Sequence, residues 1–196
     1  MVYSGRFSRS VGGSDQAHER KRKKAAVSWW VKEWLSSVES VCSWESASRG
    51  RDHSRKVDVY DIDVKPLRIN AKVEGSSGEE YSVSIACPPL SAGERSKLSS
   101  IVSKPDVSLH LLSNELHEGY RERLTPLLFK GLRFECDCPD KRKACEHVAA
   151  VFYALAGEID AAPQILSFFR GMDNKELLSL VREGMRDAKE TGGRRR

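Results

Sequence analysis

Three of the five cysteines stand within ten residues, as Cys136, Cys138 and Cys145, and His147 follows the last of them two positions on. The spacing reads C-x-C-x6-C-x-H. A pair of thiolates one residue apart and a thiolate–imidazole pair one residue apart converge on one ion when the six-residue loop between them folds back. Zinc accepts three sulfurs and one nitrogen tetrahedrally, at about 2.3 Å for sulfur and about 2.0–2.1 Å for nitrogen. With all four positions filled by protein no place is left for an activated water, so the expected cofactor, Zn2+, is structural. Iron–sulfur ligation uses similar donors, but short loops and a histidine favour zinc. An odd number of cysteines in such a chain also speaks against a disulfide framework.

The elements that must position these donors can be read around them. Leu132 to Glu135 reads as a short strand leading into the first pair. A helix beginning near Glu146 carries the apolar stripe Val148, Val151, Phe152 and Leu155, ending at Gly157, with its positive end near the thiolates. Lys141, Arg142 and Lys143 occupy the loop between the ligand pairs.

Upstream, Val27, Trp30, Val31, Trp34, Val38 and Val41 recur at helical steps on one face. Trp29 and Trp44 fall off that stripe. They are either covered by another element or exposed for a partner or a base to stack on. Residues 45–56 are polar and contain Gly50, which reads as a loop. Three alternating runs follow. In the first, Val57, Val59, Asp61 and Asp63 face one way and Tyr60, Ile62 and Val64 the other. Leu67, Ile69, Ala71 and Val73 form the second, and Tyr81, Val83, Ile85 and Cys87 the third. The residues Gly75–Gly78 supply a turn, and Pro88–Pro89 end the last run, giving an antiparallel meander.

Ser91 with Glu94 matches a capping box before a helix bearing Leu98, Ile101 and Val102. A second helix is expected from Pro105 to about Glu118, presenting Leu109, Leu112 and Leu116. After the metal segment, Pro163 opens a short helix that stops at Gly171, and Asp173 with Glu176 caps a last helix bearing Leu177, Val181 and Met185.

The expected fold class is therefore α+β: an N-terminal helix, a β-meander covered by helices, and a zinc finger with trailing helices. The boundaries read as a basic tail over 1–26, an α+β region over 27–128, the finger over 129–160, helices over 161–189 and a basic tail over 190–196.

The 196 residues carry a formal charge of +5, unevenly spread. Residues 1–26 hold seven Lys/Arg and two Asp/Glu, and 186–196 hold five and two, so the intervening body is slightly acidic. The runs Arg20, Lys21, Arg22, Lys23, Lys24 and Arg194, Arg195, Arg196 either neutralise phosphates or are solvated tails. No apolar run is long enough for a membrane helix and the opening lacks the apolar centre of a secretory signal, so a soluble, cytoplasmic protein with no membrane partner is expected.

An enzyme would have to draw on Cys42 or Cys87 as nucleophile and His53, His110 or His117 as base. Cys42 lies next to the apolar helical stripe and Cys87 on the apolar phase of a strand, where thiols behave as small hydrophobes. There is also no glycine-rich phosphate loop, so no catalytic residue is assigned.

The segment CDCPDKRKACEHVAAVFYALAGEID resembles the SWIM zinc finger, found in bacterial helicases of the remodelling-ATPase class, plant Mutator-type transposases and other chromatin and signalling proteins. The wider chain resembles small stand-alone prokaryotic SWIM proteins in its opening SWWVKEWLSSVES, its meander ending in IACPPLS and the finger that follows. The resemblance carries Cys136, Cys138, Cys145 and His147 over as zinc ligands and implies binding of DNA or proteins. Two roles follow as expectations. One is a nucleic-acid module, DNA before RNA and weakly specific, gripping phosphates through Lys141, Arg142, Lys143 and the two basic runs, as an accessory to a helicase-like machine. The other is a protein–protein adaptor docking through the finger and an exposed Trp29.

Overall fold

The computed structural model describes residues 6–7, 27–56 and 58–193. Strand β1 (Arg6–Phe7) precedes helices α1 (Trp29–Glu39) and α2 (Trp44–Arg55), and β2 (Val59–Lys65), β3 (Arg68–Glu74) and β4 (Glu80–Ala86) follow. Helices α3 (Ala92–Val102), α4 (Pro105–Leu112) and α5 (Arg121–Leu128) come before β5 (Arg133–Cys136). The chain then forms α6 (Glu146–Ala161), α7 (Gln164–Phe169) and α8 (Asn174–Gly193). The class is α+β, as expected. The sheet is antiparallel throughout in the order β1-β2-β3-β4-β5, so β5, which delivers the first metal ligands, pairs with β4 across a long helical excursion. Among the described residues no helix is long and apolar enough to cross a membrane.

One face of the sheet is apolar. Ile69, Ala71, Val73, Val83 and Ile85 are buried there against α6 and α7, as strict alternation requires. In β2 the alternation breaks: Asp61 takes φ 48° and the register shifts between Tyr60 and Asp63. This bulge adds one residue, so Val59 and Ile62 both turn to the core, where unbroken alternation would have put them on opposite faces. On the other face, Asp63, Asn70, Ser84 and Glu135 line up across four strands and remain open.

Helix α6 lies between the sheet and the helices α1 and α2. Its Phe152 is the hub. The ring stacks on Trp34 of α1 at 4.3 Å between centroids and meets Phe134 of β5 edge-on at 5.4 Å. Trp30 and Trp34 donate their indole N–H groups to the carbonyls of Ile159 and Phe152, at 3.2 and 2.9 Å. One hydrophobic core runs from Trp29 to Val181 and includes Cys138, Ala144 and Cys145 of the metal segment.

Several local expectations are corrected. Trp44–Arg55, read as a loop, is a helix: Ser43 caps it by accepting from the Ser46 N–H at 3.1 Å, and its buried face is Ser46, Ala47, Gly50 and His53. That face is small and polar rather than aliphatic, so hydrophobic periodicity does not report it. A Cβ on Gly50 would sit 2.5 Å from Ala149 Cβ and 2.7 Å from the Glu146 carbonyl oxygen, so glycine is what lets α2 lie against the first turns of α6. Helix α4 stops at Leu112 and buries Val107 and Leu111, leaving Leu109 and Leu112 exposed. Asn114, at φ 58°, turns the chain there, and Leu116 reaches the core from the loop beyond. Helix α6 passes through Gly157 to Ala161.

Candidate metal centre

The donors reach one point from two elements. Strand β5 ends at Cys136, and Asp137 then binds back to β4, its N–H donating to the Ser82 carbonyl at 3.3 Å and its Oδ1 accepting from the Ser82 N–H at 2.8 Å. That clip turns the chain so that Cys138 enters the core. From the other side, Cys145 is the N-cap of α6 and His147 lies in its first turn. The four ligand atoms all lie within 4.8 Å of one another. His147 offers Nδ1, 3.8 Å from Cys136 Sγ and 3.9 Å from Cys145 Sγ. Tetrahedral zinc with ordinary bond lengths needs donor separations of about 3.6–3.8 Å. The spacing fits a single ion.

Ionisation points the same way. Three thiols, all at least half-buried, crowd one another. The Cys145 thiol is pulled down to about 4, first by hydrogen bonding with Cys136 and further by His147. The same Cys136–Cys145 contact, with burial, pushes Cys136 up, and burial pushes Cys138 up. Left to themselves, one sulfur ionises at the expense of its neighbours. A dication at their centre removes that conflict.

Around the ligands, His147 lies against Tyr81 of β4 at 4.5 Å between ring centroids. Glu146 is held by Arg49 of α2 at 3.2 Å, and its Oε1 sits 3.8 Å from His53 Nε2. His53 in turn meets Asp58 at 2.9 Å. Arg49 and His53 come from α2 and Tyr81 from β4, and Arg49 and Tyr81 carried no signal at the level of sequence beyond their place in a polar run and a strand.

The other expected site residues are distributed as follows. Lys141 and Lys143 are exposed and, among the described residues, have no ion pair. The Arg142 guanidinium is engaged by Asp140, through Nη2 at 2.6 Å, and by Ser43 Oγ, through Nη1 at 3.1 Å. The Asp140 carboxyl is held below its usual range by that guanidinium. Arg20, Lys21, Arg22, Lys23, Lys24 and Arg194, Arg195, Arg196 lie outside the described residues. Trp29 is corrected: it is 6% exposed and donates to the Leu116 carbonyl at 3.1 Å, so it cannot serve as an exposed docking aromatic. The segment around Leu116 covers it, across 87 residues of chain. Cys87 is buried with its Sγ 3.6 Å from the Phe169 carbonyl, and burial raises both its pKa and that of Cys42. Among the described residues neither thiol is hydrogen-bonded to a histidine.

Residues 135–156 match the family model of the SWIM zinc finger. Cys136, Cys138, Cys145 and His147 all fall in that segment, positioned to hold one zinc ion. The chain is similar to the uncharacterized protein Rv2102 of Mycobacterium tuberculosis, 28% identical over 179 residues that cover 87% of this chain and 64% of the relative. The chain thus spans a little under two thirds of the length of that relative. No solved structure matches.

Proposed function

We propose that this protein is a non-catalytic zinc module that binds nucleic acid, DNA before RNA, with little sequence preference, as an accessory to a DNA-handling machine such as a helicase. The observation that carries the reading is the state of the metal loop. Its two ends are ligands, Cys138 and Cys145, and between them Lys141 and Lys143 stand exposed, free of ion pairs among the described residues. Holding two cations on a braced loop costs self-repulsion, and a polyanion relieves it. Such contacts fall on phosphates and position a protein without reading bases. Arg49, in the neighbouring helix α2, stands beside the same loop through its pair with Glu146.

The test is binding of a DNA fragment across a salt series. Affinity is expected to fall steeply with salt, and Lys141→Glu with Lys143→Glu is expected to flatten the log–log slope by about one unit for each phosphate no longer neutralised. Salt-independent binding, or an unchanged slope in the double variant, removes the reading.

A protein-adaptor role has one observation in its favour. The open sheet face forms a concavity of about 910 Å3 lined by Asp61, Asp63, Glu135 and Asp137 with one cation, Lys72, which is paired with Glu80, and this acidic excess suits a basic segment of a partner. Partners retained after nuclease treatment favour it.

A further inference from the structure

Three of the four tryptophans are explained by the fold. Trp29, Trp30 and Trp34 are buried, each with its indole N–H on a backbone carbonyl. Trp44 is 83% exposed, and among the described residues its ring nitrogen has no hydrogen-bond partner and its ring no aromatic contact. Its backbone is well held: it is the first residue of α2, directly after the Ser43 cap, on a helix seated against α6 through Gly50. Leaving an indole in water forgoes a large burial free energy, and this one projects from a firmly seated helix start.

What stands next to it narrows the ligand. The Ser43 hydroxyl that caps α2 also accepts from Arg142 at 3.1 Å. Arg142 therefore straps the metal loop to the residue beside Trp44. Trp44 follows Ser43 in the chain and Lys141 and Lys143 flank Arg142, so the indole and the two cations spring from backbone segments joined by that one hydrogen bond. A ligand using both must bring a flat π face and an adjoining anion. A nucleotide carries the two together in every unit; an acidic peptide does so only where an aromatic residue stands beside its carboxylates. Bases in a duplex are stacked on one another, so the face must come from an unpaired base.

We propose that Trp44 is a stacking platform for an unpaired base of single-stranded nucleic acid, with the neighbouring phosphates held by Lys141 and Lys143 of the metal loop. This deepens the nucleic-acid reading and rests on it.

Because the other tryptophans are buried, a ligand that stacks on an indole reaches this one, and the change in emission that is lost in Trp44→Phe reports on it. The full, zinc-loaded chain is titrated with an oligothymidylate of about 15 nucleotides, its oligouridylate counterpart and a duplex of equal length. Quenching by either single strand, and weaker or no quenching by the duplex, is expected. Trp44→Ala is expected to weaken single-strand binding roughly 5- to 100-fold. Trp44→Phe is expected to retain most of the affinity while losing the quenching. Since Trp44 is outside the core, both variants should keep their melting temperature, and a variant that melts lower is replaced by Trp44→Tyr. Tight single-strand binding with unchanged emission, or unchanged affinity in Trp44→Ala, overturns the platform and leaves the nucleic-acid reading standing. Absence of binding to all three probes overturns both. So does a protein partner whose capture resists nuclease and requires Trp44.

Discussion

At the scale of single residues, the metal centre depends on which atom each donor offers. His147 presents Nδ1 to the sulfurs, so its Nε2 turns toward Glu146, at 3.9 Å from Oε1. Cys136 is the most exposed of the three sulfur ligands and ends a strand, while Cys138 and Cys145 are closed into the core. Replacing Cys136 by Ser removes one thiolate and leaves the other two with an ion they can no longer close around. Elemental analysis of Cys136→Ser is expected to show loss of stoichiometric zinc, with a melting temperature lower by roughly 10 °C or more. Cys87→Ala makes the contrast. That thiol is also buried but lies against the Phe169 carbonyl away from the centre, so its variant is expected to keep zinc. The four ligands were legible in the sequence because thiolate and imidazole spacing is a local property of the chain. The fate of the tryptophans was not. Trp29 is covered by a segment distant in sequence, and Trp44 lies where nothing among the described residues returns to cover it.

At the scale of elements, the α2–α6 crossing sets the site. Helix α2 brings Arg49 and His53 to Glu146, beside the ligand His147, and does so through the absence of a side chain at Gly50. Gly50→Ala is therefore expected to cost about 1–3 kcal/mol by overpacking, read as a lower denaturant midpoint. Gly157, in the middle of α6, has nothing within 4 Å of an added Cβ. Gly157→Ala should stabilise by about 0.5–1 kcal/mol and raise the midpoint, because alanine has less backbone freedom to lose in a helix. Opposite signs for the two substitutions would show that close approach, and not helix propensity, governs α2. Strands β3 and β4 were legible from alternation, since each has one buried and one open face. The phase of β2 was not, because a bulge alters which residues face inward without leaving a compositional mark.

At the scale of the molecule, the finger does not stand apart. Cys138, Ala144 and Cys145 belong to the same hydrophobic core as Trp34, Phe152 and Phe169, and β5 is a strand of the common sheet. Zinc in small modules contributes on the order of 10–16 kcal/mol, against a whole-domain stability of about 5–15 kcal/mol. Chelation is accordingly expected to lower protection from hydrogen exchange in α1, α2 and β4 as well as in residues 130–160. Loss confined to the metal loop would show that the core stands without the ion. Acid is expected to release the metal, because each ligand binds zinc in its deprotonated form and falling pH returns protons to sulfur and imidazole.

The sequence by itself determined the ligand set, the meander, the capped helices and the α+β class, all of which depend on residue types at short, regular separations. Tertiary structure alone decided that residues 44–55 form a helix, that Trp29 is inside and Trp44 outside, and that the metal loop is strapped to α2 by Arg142. Burial and close approach are properties of pairs of distant segments. A polar, glycine-containing helix that packs through a missing side chain has no periodic apolar stripe to announce it.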